Sequence, residues 1–229
     1  MQIALLHLSD FHITSSADPI LSRAEAIKGA LHQTAPNAEG CIVVISGDVA
    51  FSGTQAQYDL AYAFFESLRD QLLGLPPVAK VEFVAVPGNH DCDFENESDI
   101  REFLLRDVTA LRDSEIHPSS DRVQALTAVQ KHFFAFESRL TQSKELGPGE
   151  KLSWAKLFKF GNYTVLCNCF NTAWLSRKKE QQSKLFFPME AIGIGSVSAS
   201  VSTSVFHHPY NWLDAGNYRS LKGRGRSNL

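Results

Sequence analysis

Side chains of the kinds that hold divalent cations recur in this sequence directly after apolar runs. Asp10 and His12 follow the run 3–9, Asp48 follows 41–45, Asn89 and His90 follow 81–86, and His207 follows 196–205. In open α/β sheets, sites form in the crevice beyond the carboxyl ends of the strands, so four such ends would converge on one place. Burying these groups without partners costs several kcal/mol each, and a bound cation is the natural compensation. Mixed carboxylate, amide and imidazole donors suit Mn²⁺, Fe²⁺/Fe³⁺ or Zn²⁺ better than a thiolate-seeking ion. Two ions roughly 3.5–4 Å apart need a bridging carboxylate, and Asp48 is the central candidate. Taken singly, Asp10 with His12 reads as a strand-end cap, Asp48 as a helix-entry cap and Asn89-His90-Asp91 as a turn. Their ordered set carries the argument.

The elements that must position these groups follow from periodicity. Residues 3–9 and 41–45 read as buried strands, and 81–86 as a third. Asp18-Pro19 predicts the capped start of an amphipathic helix over 19–34. A second helix over about 54–73 places Ala61, Phe64, Phe65, Leu68 and Leu72 on one stripe and stops at Gly74. Alternating strands and helices predict an α/β layered fold. The stretch 98–143 reads as wholly helical, a further strand lies near 163–168, and 196–205 alternates as a half-buried strand. Lys222–Leu229 lacks periodicity and reads as a frayed end.

Ser9-Asp10-Phe11-His12, Ser46-Gly47-Asp48, Pro87-Gly88-Asn89-His90-Asp91 and His207-His208-Pro209 resemble four successive motifs of the calcineurin-like metallophosphoesterases. The third is highly specific, and the order and spacing match over essentially the whole chain. The resemblance implies a four-layer α/β/β/α sandwich that hydrolyses phosphate esters through a hydroxide activated by two divalent ions. It implies Asp10, His12 and Asp48 on the first ion, and Asp48, Asn89 and His207 on the second. His90 would meet the leaving oxygen with Asp91 orienting its ring. Residues 1–229 then form one domain, with a helical insertion at about 98–143 that shapes substrate access. The family's closing Gly-His-x-His motif does not follow His207 here, so the domain reads as incomplete at its C-terminal end. A shorter ligand set predicts weaker metal binding. Phe51 also stands where many relatives carry Asp or Asn.

With 229 residues, 44% of them hydrophobic, the chain can bury one sizeable core. A net charge of −3 gives no global signal for nucleic acid or an anionic membrane. No apolar run is long enough to span a bilayer, and no basic leader opens the chain. Four scattered cysteines fit a reducing cytoplasm. Cys167 and Cys169 share a strand face and read as buried, inert thiols. His7 reads as a core residue, His32, His117 and His132 as unpartnered, and His208 as a possible pocket residue. Arg177-Lys178-Lys179 is a solvated loop that, beside a phosphate site, would attract anionic substrates. The leading substrates are small phosphate esters, nucleotides and cyclic nucleotides among them. Two further readings are a nuclease, which requires a basic groove, and a non-catalytic binding module.

Overall fold

The computed structural model describes residues 1–108, 115–192, 197–217 and 219. Three parallel strands form the first sheet: β1 (Gln2–Leu8), β2 (Ala38–Ser46) and β3 (Lys80–Val86), in that order. The central β2 is buried at every position but one, as its unbroken Cys41–Ile45 run requires. The expectation of a buried β1 is corrected. Among the described residues β1 pairs only with β2, and of its side chains only Ala4 is buried. His7 is accordingly exposed, with Nε2 2.7 Å from Ser46 Oγ, and is no core residue.

Helix α1 spans Ala24–Thr34, preceded by a 3-10 turn at Pro19–Ser22. Asp18 does not cap it. Its Oδ2 accepts instead from the Thr14 N–H at 2.6 Å, Thr14 Oγ1 at 2.8 Å and the Ser15 N–H at 3.1 Å. These nearer donors close the chain behind His12. Helix α2 (Gln55–Leu73) buries the expected stripe, each large side chain contributing roughly 1.5–3 kcal/mol over exposure. It ends where the Gly74 N–H bonds the Asp70 carbonyl.

The stretch 98–143 is not wholly helical. It holds α3 (Asp99–Val108), α4 (Asp121–Thr127), a 3-10 turn and α5 (Lys131–Leu140). Pro118-Ser119-Ser120 interrupts it because proline disfavours helix in the residue before it and Ser120 Oγ caps α4. Residues 109–114 of this stretch lie outside the described residues.

The second sheet has the order β4 (Ser153–Phe160), β5 (Tyr163–Phe170), β6 (Val201–Val205), antiparallel then parallel. β4 was not anticipated, although Trp154, Phe158 and Phe160 lie on the buried face at period two. β6 covers only the second half of the expected 196–205. Residue 196 and Lys222–Leu229 lie outside the described residues. Both sheets share one core with α1, α2 and α5, which makes the molecule an α/β sandwich. Cys167 and Cys169 are buried in that core, and burial pushes the Cys167 thiol up to about 11. A second apolar cluster joins α3 and α4 to Phe170, Trp174 and Phe187.

Candidate metal centre

The loops after β1 and β2 lie side by side and continue the strand pairing beyond the strands. Asp10 N–H donates to the Gly47 carbonyl at 3.2 Å, His12 N–H to Asp48 at 2.9 Å and Ile13 N–H to Val49 at 3.0 Å. Ile13, Val49 and Ala50 are fully buried and anchor both loops. Asp10, His12 and Asp48 all take left-handed backbone conformations, with φ of 57°, 48° and 55°. Each such residue costs of order 1–3 kcal/mol, and such strain gathers at functional sites. Gly47, at φ 91°, removes a fourth penalty.

These loops bring the candidate ligands together around Asp48, which is 3% exposed. Its Oδ1 accepts the His90 N–H at 2.9 Å. Its Oδ2 lies 3.4 Å from His207 Nε2 and 3.8 Å from His12 Nε2. His12 Nε2 is also 3.8 Å from Asp10 Oδ1, and His207 Nε2 is 3.2 Å from Asn89 Oδ1. Among the described residues two sets of donors result, His12–Asp48–His90 and Asp10–Asp48–His207. Within each set the donor atoms lie within 4.8 Å of one another, and Asp48 belongs to both.

Three features fit a cation here. First, His207 Nδ1 donates to the Ser46 carbonyl at 2.8 Å, which leaves Nε2 as the ring nitrogen turned toward Asp48 and Asn89. Second, His12 Nε2 lies 3.8 Å from both Asp10 Oδ1 and Asp48 Oδ2, beyond hydrogen-bond reach of either and spaced for an ion between them. Third, the field favours positive charge. Burial works to lower the His207 pKa, but the hydrogen bond and charge of Asp48 raise it to about 9. Asp48 itself is held below its usual range: burial acts to raise it, and His207 together with the His90 N–H outweighs that. A Cβ on Gly88 would sit 2.1 Å from Asp48 Oδ1, so glycine is required for the two loops to approach.

His90 and Asp91 divide their work differently from expectation. His90 Nδ1 donates to the Phe51 carbonyl at 2.8 Å, and its ring packs 4.6 Å from His12 and 5.3 Å from Phe51. Phe51, not Asp91, therefore orients the ring. The fully buried Asp91 carboxylate accepts from Gly88 N–H and Ala50 N–H, both at 2.9 Å, from Val49 N–H at 3.3 Å and from Tyr58 Oη at 2.8 Å. Burial and the neighbouring Asp48 charge push the Asp91 pKa up against those bonds. Asp91 thus ties the loop after β2 to the loop after β3. Tyr58 was missed from sequence; the available signal was a polar-tipped aromatic beside the apolar stripe of α2.

The family model for calcineurin-like phosphoesterases matches residues 3–189. The chain belongs to that family. It is accordingly a hydrolase acting on phosphate esters. Comparison with curated proteins returns no match.

In this phosphoesterase His207 lies past the matched residues, yet its ring meets Asp48 and Asn89 from the end of β6. His208 turns away. It is buried, with Nδ1 3.1 Å from Thr172 Oγ1 and Nε2 3.1 Å from Glu180 Oε2. His132 also has partners, Gln55 at 3.0 Å and Asp93 at 3.7 Å, and His117 meets Ser119. Beside His90 and Asn89 a cleft of about 190 Å³ is lined also by Phe51, Phe94, Arg177 and Lys178. Part of the basic tract therefore flanks the site, while Lys179 lines a neighbouring cleft with α3 residues. No described helix of the phosphoesterase is long and apolar enough to cross a membrane.

Proposed function

We propose that the chain hydrolyses phosphate mono- or diesters, nucleotides among them, with two divalent ions of the Mn²⁺, Fe²⁺/Fe³⁺ or Zn²⁺ kind. Asp10, His12 and Asp48 would hold one, and Asp48, Asn89 and His207 the other. The observation that carries this reading is the position of Asp48 in both donor sets. When bound, such ions neutralise phosphoryl charge and make water more acidic. The chain's own groups do the rest. His90, fixed through Nδ1 by Phe51, would donate to the leaving oxygen from Nε2 once that nitrogen is protonated, a role that contributes typically 10²–10⁴-fold. Ser46 sets the His207 tautomer, and Asp91 holds the two loops in register. Four buried free cysteines support a reducing, cytoplasmic setting.

The test is elemental analysis of Mn²⁺-loaded protein together with hydrolysis of mono-aryl and bis-aryl phosphates. Near two ions per chain and turnover, both lost in Asp48→Ala, are expected. Metal-independent turnover, or no turnover with two ions bound, would overturn the reading.

A further inference from the structure

We propose that the cleft beside His90 is a leaving-group subsite for a planar aromatic ring joined to an anionic group, as in a nucleoside monophosphate. This inference rests on the phosphoesterase reading, because it places the leaving group on the His90 side. Phe51 is 51% exposed, and its ring lies 5.3 Å from that of His90 at 39°, extending the imidazole outward along one wall. Phe94, partly buried, contributes another aromatic surface. Arg177 and Lys178 supply two cations to the same space against the one carboxylate of Glu95, in a chain whose net charge is −3. Aromatic walls take a ring, and a guanidinium beside an ammonium takes a phosphate.

Both cations can be released to a ligand. Lys178 pairs with exposed Glu95 at 3.0 Å, and such a pair in water is weak enough for a ligand anion to replace. Among the described residues the Arg177 guanidinium makes one long bond, 3.4 Å to the Leu105 carbonyl, which leaves most of its donors for other partners. Their root is firm. The buried Arg101 guanidinium donates to the carbonyl of Ser176, immediately before Arg177, at 2.8 Å and to that of Leu126 at 2.8 Å. The cleft of about 190 Å³ has room for a ring; the neighbouring cleft of about 540 Å³ carries Glu97, Asp99 and Glu102 on its far walls, so the phosphate is placed against Arg177 and Lys178, which border both clefts.

Phe51 serves His90 with its backbone and the cleft with its side chain, so Phe51→Ala removes the wall and keeps the carbonyl. The experiment is calorimetric titration of the metal-depleted full chain with adenosine 5′-monophosphate, adenosine and ribose 5-phosphate. Adenosine 5′-monophosphate is expected to bind about tenfold tighter than either part. Phe51→Ala should weaken it by about tenfold and leave ribose 5-phosphate unchanged. Arg177→Ala with Lys178→Ala should weaken both phosphates and spare adenosine, which also shows that the doubly substituted chain is folded. Equal binding of all three probes, no binding, or indifference of adenosine 5′-monophosphate to Phe51→Ala would overturn the subsite. Aryl phosphate turnover by the Mn²⁺-loaded chain separates the two readings. Turnover without selective nucleotide binding removes the subsite alone. Selective binding without turnover removes the leaving-group role and the hydrolytic reading, and leaves a nucleotide-binding cleft.

Discussion

Tyr58 Oη donates to Asp91 Oδ1 at 2.8 Å, and both residues are buried to 1% exposure or less. Through this bond helix α2 reaches the loops that carry Asp48 and Asn89, because the same carboxylate gathers the N–H groups of Val49, Ala50 and Gly88. The packing of α2 and the geometry of the metal centre are therefore one structure.

Tyr58→Phe leaves the ring and removes one donor from a buried carboxylate. A loss of about 1–3 kcal/mol is expected in urea unfolding, with weaker Mn²⁺ binding. Wild-type stability in the variant would show that three backbone donors suffice for Asp91.

His90→Gln should lower turnover by about 10²–10⁴-fold with metal content unchanged. The readout is kcat beside elemental analysis. Loss of an ion in the variant would instead make His90 a ligand, in keeping with its place in a donor set with His12 and Asp48.

Gly88→Ala forces a methyl to 2.1 Å from Asp48 Oδ1 and 2.6 Å from the Asp48 nitrogen. Relief by displacing the Asp48 loop is expected to cost about 1–3 kcal/mol of stability and to weaken Mn²⁺ binding by at least about tenfold. Competition against a chelating dye measures the second effect; unchanged affinity would mean that the loops can separate without harm.

Glu137 is fully buried between α5 and β4, with Oε1 2.7 Å from Lys156 Nζ and Oε2 without a partner among the described residues. Burial raises its pKa, and Lys156 only partly offsets that. The folded state then holds the proton more tightly than the unfolded chain. This contribution is fully present below the ordinary carboxylate value and is lost as pH rises through the raised one. The stability difference between wild type and Glu137→Gln should therefore shift against wild type as pH rises through that window. A pH-independent difference in urea midpoints would refute the linkage. Lys156→Ala, which strands the carboxylate, should cost about 3–5 kcal/mol near neutral pH.

Much of this arrangement was legible in the sequence, because ligand residues at strand ends and an unbroken apolar run in β2 are local signals. The six residues Asp10, His12, Asp48, Asn89, His90 and His207 do come together. What stayed hidden depends on partners distant in the chain. Asp18 looked like a helix cap until Thr14 and Ser15 proved nearer donors. β1 looked buried because its composition is apolar, but burial depends on what lies beside a strand. Asp91 adjoins His90 in sequence, yet its carboxylate serves Tyr58 and three backbone amides, and a carbonyl from residue 51 holds the imidazole. Backbone groups carry no sequence signature, so such a partner cannot be read from residue types.

The ladder joining residues 10–13 to 47–49 also limits how the gene can change. Because Asp10, His12 and Ile13 each pair with a fixed partner across it, a single inserted or deleted codon in either loop would put every donor one step out of register. Length variation is excluded where the ions would sit. It has to accumulate away from this ladder, as in the segments that join α3, α4 and α5, which supply none of the six ligand-type residues.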